Sequence, residues 1–121
     1  MTTIEIHLPI RTVSEANQSG FEHWGAKARR VKSQRETVYY ALFEYRYELP
    51  GFDRYIVTLT RIAPRNLDEH DNLPRSMKAI TDQIAKMIGI DDGSERIEWK
   101  YAQEKGKPKE YAVKIKIEER R

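Results

Sequence analysis

Apolar and polar residues alternate at the start of the chain, between residues 3 and 9. Ile4, Ile6 and Leu8 fall on one side of an extended backbone, and the residues between them are polar. Alternation of this kind predicts a strand that is buried on one face. Pro9 closes the strand, because proline has no backbone N–H to donate to a neighbouring strand.

A long helix is predicted after a polar loop, RTVSEANQSG. Ser19 and Glu22 have the S-x-x-E spacing of a capping box, which marks a helix start. Apolar residues then recur at helical spacing until Pro50 and Gly51, which gives a helix of about 25 residues. They are Trp24, Ala28, Val31, Val38, Leu42 and Tyr45. We interpret the tyrosines near the end of this helix as core or subunit contacts rather than a base-stacking platform. These are Tyr39, Tyr40, Tyr45 and Tyr47.

The middle of the chain predicts a central strand and a second helix. YIVTLTRI, residues 55–62, is rich in β-branched side chains, which favour strands, and Pro64 ends it. Beyond it, apolar residues follow the spacing of one helix face. They are Leu73, Met77, Ile80, Ile84 and Ile88. Pro74 is tolerated in the first turn of this helix, and Gly89 ends it.

The last third of the chain predicts a β-hairpin, with EKGKPKE as its turn. Ile97, Trp99 and Tyr101 share one face of the first strand. The second strand has a similar apolar face, formed by Tyr111, Val113, Ile115 and Ile117. The element order is therefore β-α-β-α-β-β over a single domain, residues 1–121. This order predicts an α+β fold with both helices on one face of a mixed sheet.

The composition excludes several classes of protein. The chain of 121 residues contains no cysteine, so there is no disulfide framework and no thiolate nucleophile or metal site. No apolar run approaches the roughly 18 residues that span a bilayer, and no signal-peptide pattern opens the chain, so we expect a cytoplasmic protein. The histidines lack the spacing of a zinc site, and without a glycine-rich phosphate loop nucleotide hydrolysis finds no support. We expect no small-molecule substrate.

Positive charge is clustered, although the net charge of +3 and the pI of about 9.1 are mild. An early basic cluster contains Lys27, Arg29, Arg30, Lys32 and Arg35. A late cluster contains Lys100, Lys105, Lys107 and Lys109. Such clusters can neutralise phosphates, although a single cluster is more often a solvated face of a helix or hairpin. Together with a separate acidic cluster, they favour a nucleic-acid partner.

That acidic cluster lies in LDEHDNLPRSMKAI, where Asp68, Glu69, His70 and Asp71 precede the second helix. Asp71 alone is explained by a helix cap, which contributes about 1 kcal/mol. One cap does not require three carboxylates, whereas Mg²⁺ prefers several carboxylate oxygens. A second acidic pair, Asp91 and Asp92, follows the second helix. We therefore predict a Mg²⁺ site formed from Asp68, Glu69, Asp71, Asp91 and Asp92, suited to phosphodiester cleavage.

The stretch HDNLPRSMKAITDQIAKMIGIDDGSERIEWKY resembles the RusA-like Holliday junction resolvases. The similarity lies in a D-N-L helix start, the helix length and a D-D pair before a strand, and with the strand order it covers most of the chain. Members of that family are small dimeric endonucleases that cut four-way DNA junctions with Mg²⁺. The resemblance implies a similar activity here, and a prophage context by analogy.

Individual residues can be matched to the family pattern. Asp71 and Asp92 match two of its catalytic aspartates, and Arg75 takes the place of its catalytic lysine. This change keeps the charge but loses a titratable amine, so it leaves phosphate binding rather than proton transfer. Glu69 stands where the family has a further aspartate, and Asp68 is the alternative. The catalytic set implied is Asp71, Asp92, Glu69 and Arg75. An ordinary i,i+4 ion pair with Asp71, contributing about 0.3 kcal/mol, is the structural alternative for Arg75.

A helix that runs without a break from Asn72 to Ile88 is about 25 Å long at 1.5 Å per residue. Asp92 is too few residues beyond its end to return to Asp71 within one chain. Two copies related by a two-fold axis would bring Asp71 of one chain to Asp92 of the other. We therefore predict a homodimer with a composite active site.

Three functions follow from these observations. The first is a Mg²⁺-dependent endonuclease for branched DNA, whose phosphate contacts are Arg29, Arg30, Lys32, Arg65, Arg75 and Lys78. The second is a DNA-binding dimer of the same fold that does not cut, as the departures at Glu69 and Arg75 would allow. The third is a protein–protein module that uses the tyrosine-rich helix. A gel shift with junction DNA separates the third from the first two.

Overall fold

The computed structural model describes residues 2–12, 24–67 and 72–120. Two groups of predicted residues lie outside these ranges. One is the capping box of Ser19 and Glu22. The other is the acidic group Asp68, Glu69, His70 and Asp71.

Four strands of the described residues form one mixed sheet in the order β1-β4-β2-β3. They are β1 (Thr3–Leu8), β2 (Arg54–Ala63), β3 (Ile97–Lys105) and β4 (Ala112–Arg120). β2 pairs in parallel with β3 and antiparallel with β4, and β4 also pairs antiparallel with β1. The first strand and the central strand predicted from the sequence are both confirmed.

The predicted hairpin is wrong, because β4 lies between β1 and β2 instead of beside β3. In this register Val57 is level with Ile117 on one side and with Trp99 on the other, so the apolar side chains of all three strands share one face. The Gly106 amide donates to the Ala63 carbonyl at 2.8 Å, which extends the pairing of β2 with the chain beyond β3. Residues 106–111 then carry the chain across the end of β2.

The first helix, α1, spans Trp24–Leu42, so it ends before the predicted stop at Pro50 and Gly51. Its last residues are followed by two short 3-10 turns, Phe43–Tyr45 and Leu49–Gly51. The predicted apolar stripe is buried only toward its C-terminal end, at Val38 and Leu42. Trp24, at the other end of the stripe, has an exposed fraction of 78%.

The second helix is broken at Met77 and is not continuous from Asn72 to Ile88 as predicted. α2 covers Asn72–Ser76 and α3 covers Lys78–Ile88. The Met77 amide donates to the Pro74 carbonyl at 3.1 Å, one residue short of the α-helical partner. That partner, the Leu73 carbonyl, accepts from Ser76 Oγ at 2.7 Å instead. The dimer was predicted from the length of a continuous helix, and the helix is not continuous.

The end of α3 is as predicted. Gly89 has a φ of 85°, a left-handed conformation that glycine adopts without a Cβ clash. Its amide donates to the Ala85 carbonyl at 2.9 Å, which closes the last turn of the helix.

The α+β fold with helices on one face of the sheet is confirmed. The core lies between this face and the apolar sides of α1 and α3. It includes Val38, Leu42, Val57, Leu59, Ile80, Ile84, Ile115 and Ile117. The other face of the sheet is polar and carries cross-strand ion pairs, among them Lys114–Glu104 at 3.2 Å and Arg120–Glu98 at 2.8 Å. Among the helices described, none is both long and apolar enough to cross a membrane.

Candidate functional site

Lys78, the first residue of α3, contacts two carboxylates. Its Nζ lies 3.0 Å from Asp82 Oδ1, one turn along the helix. It also lies 2.9 Å from Asp92 Oδ2, in the turn that follows α3. We refer to Lys78, Asp82 and Asp92 as the Lys78 cluster. The two predicted residues in it, Lys78 and Asp92, came from different parts of the argument, one as a phosphate contact and the other as a metal ligand.

Lys78 and Asp92 each stabilise the ionised form of the other. The hydrogen bond from Lys78 lowers the pKa of Asp92 below its usual value. The same hydrogen bond, with a second to Asp82, raises the pKa of Lys78. At neutral pH Lys78 is therefore an ammonium and Asp92 a carboxylate. In this state Lys78 can stabilise negative charge, but it cannot accept a proton.

Asp91 and Asp92 have different roles in the turn after α3. Asp91 Oδ2 accepts from the Gly93 amide at 3.2 Å, within its own turn. Asp92 directs its carboxylate to Lys78, and its backbone carbonyl accepts from Trp99 Nε1 at 2.8 Å. Trp99 on β3 therefore holds the backbone from which the Asp92 carboxylate projects. The sequence pattern placed Trp99 on the core face but did not indicate this bond.

Basic residues from three helices line a pocket beside the cluster. Its volume is about 280 Å³, and its cationic residues are Lys27 and Arg30 of α1, Arg75 of α2 and Lys78 of α3. Asp82 also lines it, so this basic pocket and the Lys78 cluster share Lys78 and Asp82. Residues predicted separately as phosphate contacts, Arg30, Arg75 and Lys78, are therefore brought together.

The other predicted DNA contacts do not line the basic pocket. Arg29 is exposed on α1. Lys32 lies 3.9 Å from Glu36 in an exposed i,i+4 pair. Arg65 is exposed in the loop after β2.

Two side chains of the sheet hold the segment that leads to the acidic residues. Arg61 is buried in β2 and donates from Nε to Thr12 Oγ1 at 2.8 Å and from Nη1 to the Arg65 carbonyl at 2.6 Å. Burial lowers the pKa of Arg61. Gln103 on β3 accepts from the Leu67 amide at 2.7 Å and donates to the Leu67 carbonyl at 2.9 Å. Arg61 and Gln103 thus fix the chain directly before residue 68.

Sequence reasoning missed this role of Arg61 and Gln103. A signal was present, since Arg61 continues the alternation of Tyr55, Val57 and Leu59 on the core side of β2. A charged residue at such a position needs partners, because an unpaired buried charge is costly. The sequence could not show that those partners are Thr12 and the carbonyl of Arg65.

The remaining predicted metal ligands, Asp68, Glu69 and Asp71, lie outside the described ranges. Within those ranges, no group of three or more His, Cys, Asp or Glu residues is placed to hold a metal ion. Asn72 adjoins the acidic segment, and its Oδ1 is buried without a hydrogen-bond partner among residues 2–12, 24–67 and 72–120. Carboxylate oxygens are the donors that Mg²⁺ prefers, and Asp92 supplies an ionised, partly exposed one.

Comparison with known proteins adds no assignment. No family model matches the chain, and no curated protein matches it. The resemblance to the RusA-like resolvases is therefore a prediction from the residues themselves.

Proposed function

We propose that this protein is a Mg²⁺-dependent endonuclease that cuts branched DNA as a homodimer in the cytoplasm. The observation that supports this function best is the contact between opposite charges at one place on the surface. The basic pocket offers cations for a backbone phosphate, and the Lys78 cluster beside it offers an ionised carboxylate. Cleavage of a phosphodiester needs both, since the phosphate must be held while charge develops on its oxygens.

Lys78 is a better candidate than Arg75 for the catalytic cation. Its Nζ lies 2.9 Å from Asp92 Oδ2, and it also lines the basic pocket. A phosphate in that pocket would contact the same ammonium that Asp92 contacts. Lys78, which is protonated at neutral pH, would stabilise the charge on the leaving oxygen. Arg75 would then hold the phosphate without proton transfer.

Asp92, Asp71 and one of Asp68 or Glu69 would hold the Mg²⁺ ion. When bound, it would act as a Lewis acid and lower the pKa of a coordinated water. Asp91 is a weaker candidate than Asp92, because its carboxylate caps its own turn. Arg61 and Gln103 would position the acidic segment by fixing the residues that precede it.

Cleavage of a synthetic four-way junction in the presence of Mg²⁺ tests the proposal. We expect Asp92→Asn to bind the junction and to lose cleavage by about 10²-fold or more, because the neutral amide is a weaker Mg²⁺ ligand than the carboxylate it replaces. Lys78→Met should likewise cut slowly while still binding. Asp53→Asn is a matched control, since Asp53 is an exposed carboxylate outside the cluster. Undiminished cutting by Asp92→Asn would remove Asp92 from the mechanism.

A DNA-binding dimer without nuclease activity is the second candidate. It is favoured by the Lys78 ammonium, which already acts as the counter-ion of both described carboxylates in the cluster. This alternative predicts junction binding that does not depend on Mg²⁺ and no product with any divalent ion. Binding should still weaken steeply with salt, because cations of the basic pocket would release counter-ions from the phosphates.

A further inference from the structure

A groove of about 770 Å³ runs between α1 and α3, next to the basic pocket, with which it shares Lys27 and Val31. An aromatic residue of α1 lies at each end, Trp24 at the first residue of the helix and Tyr39 near its last turn. Cationic side chains line the groove between them: Lys27, Lys32, Arg35 and Lys86. We refer to it as the α1–α3 groove.

Both aromatic residues of the groove are exposed to solvent. The exposed fraction is 78% for Trp24 and 39% for Tyr39. Tyr39 is held in place by its neighbours, with ring centroids 5.3 Å from Tyr40 and 5.7 Å from Phe43. Tyr39, Tyr40 and Phe43 thus form a contiguous exposed apolar patch, and such patches commonly mark a binding surface.

The charge of the groove selects the partner. Glu36 is the one carboxylate among its described lining residues, against the four cations. Arg35 donates from Nε to Gln83 Oε1 of α3 at 3.3 Å, so its guanidinium is fixed across the groove. Aromatic rings at both ends with cations between them suit a strand of unpaired nucleotides. Its bases can stack on the rings, and its phosphates can contact the cations.

We propose that the α1–α3 groove binds single-stranded nucleic acid, with bases stacked on Trp24 and Tyr39 and phosphates on the intervening cations. For Tyr39 this replaces the interpretation drawn from the sequence, a core or subunit contact, because its side chain is exposed at the groove. The two aromatic residues lie about 22 Å apart along the helix at 1.5 Å per residue, which suits a site of about four nucleotides. The proposal goes beyond junction cleavage and does not rest on it. Lys86 lines both this groove and a small pocket with Asp82, Asp91 and Asp92, so a strand bound here would pass beside the Lys78 cluster.

Tryptophan fluorescence of the intact protein tests the proposal. The chain has two tryptophans, Trp24 and the half-buried Trp99. The difference in fluorescence between wild type and Trp24→Phe therefore isolates the signal of Trp24. The probes are a thymidine oligonucleotide long enough to fill the groove, its uridine counterpart, and a deoxyribose-phosphate strand of equal length without bases. We expect the oligonucleotides to quench Trp24. The thymidine strand should bind about 10-fold more tightly than the abasic strand, because stacking is lost with the bases.

Substitutions separate stacking from charge. Trp24→Ala should weaken thymidine-strand binding about 10-fold, Trp24→Phe should retain most of it, and Lys86→Gln should lower the salt dependence by about one phosphate contact. Tyr47→Ala is the control, because Tyr47 is 82% exposed but does not line the groove. A preference between the thymidine and uridine strands identifies the natural class and fits the proposal in either direction.

Two results would overturn it. Equal binding of the abasic and thymidine strands would mean that the groove holds a polyanion without stacking. Quenching of Trp24 on concentration of the protein alone, with no response to the strands, would mean that a second copy of the chain covers the groove. Neither result depends on cleavage, so failure of the nuclease proposal leaves this test intact.

Discussion

At the scale of single residues, the ion pair of Lys78 with Asp92 makes a prediction about pH. Asp92 has a lowered pKa in the folded state, so it contributes stability above its unfolded value of about 3.8, and this stability is lost as the pH falls through the folded pKa. Lys78→Met should destabilise the protein at pH 7 by about 0.5 kcal/mol, as befits a largely exposed pair. The difference from wild type should shrink below the unfolded pKa of Asp92.

Urea unfolding at neutral and acid pH, with NMR titration of the Asp92 carboxyl, measures both effects. The carboxyl pKa should rise toward its ordinary value in Lys78→Met. Lys100→Met makes the same chemical change at an exposed position on β3 and should leave that pKa unchanged. An unchanged Asp92 pKa in Lys78→Met would show that the pair does not form in solution.

Gln103 allows a second prediction at this scale. Gln103→Met keeps the length of the side chain but removes both hydrogen bonds to Leu67. We expect a loss of about 1–3 kcal/mol, because the partly buried Leu67 amide and carbonyl lose their partners. Amide hydrogen exchange at Leu67 should accelerate more than exchange in β2. Gln103→Glu keeps the acceptor but not the donor and should fall between the two. Unaltered exchange at Leu67 in Gln103→Met would contradict the positioning role.

At the scale of elements, the sequence pattern predicted each strand and the end of α3, because alternation and helical spacing report which side of an element is buried. It could not predict which strands are neighbours. The alternation places Ile115 and Ile117 on one apolar face of β4. That face could be buried equally well with β4 beside β3 or with β4 between β1 and β2. It also could not predict the break at Met77, where the Leu73 carbonyl accepts from Ser76 Oγ and the Met77 amide donates to the Pro74 carbonyl. The site was predicted in part for the same reason: Lys78 and Asp92 were identified, but not their contact.

Gly106 tests the crossing that separates β3 from β4. A Cβ at this position would lie 2.8 Å from Glu110 Oε1, 3.1 Å from the Glu110 carbonyl and 3.1 Å from Ile62 Cγ2. The carboxylate can move, but the carbonyl is backbone, so Gly106→Ala should destabilise the protein by about 1–3 kcal/mol. Gly51→Ala is the matched control, since nothing lies within 4 Å of its Cβ position. Gly51→Ala should be neutral or stabilise by about 0.4–1 kcal/mol. Equal urea midpoints for the two variants would mean that the crossing is less tightly packed than described.

At the scale of the whole molecule, the question is whether the site is completed by a second copy. The break at Met77 removes the argument from helix length, so the homodimer rests on other grounds. A four-way junction has approximate two-fold symmetry, which paired sites on a dimer would match. Tyr40 and Tyr47 are 73% and 82% exposed near the end of α1, and aromatic side chains are enriched in protein interfaces.

Mixing two inactive variants tests a composite site directly. If Asp71 of one chain acts with Asp92 of its partner, then a heterodimer of Asp71→Asn with Asp92→Asn has one site with both changes and one site with neither. Random exchange of subunits should then restore cleavage at about a quarter of all sites, mainly as single nicks in each junction. If both aspartates act within one chain, every site in the mixture carries a change and cleavage is not restored. Sedimentation of the mixture verifies the dimer, and a monomer that still cuts would exclude a shared site.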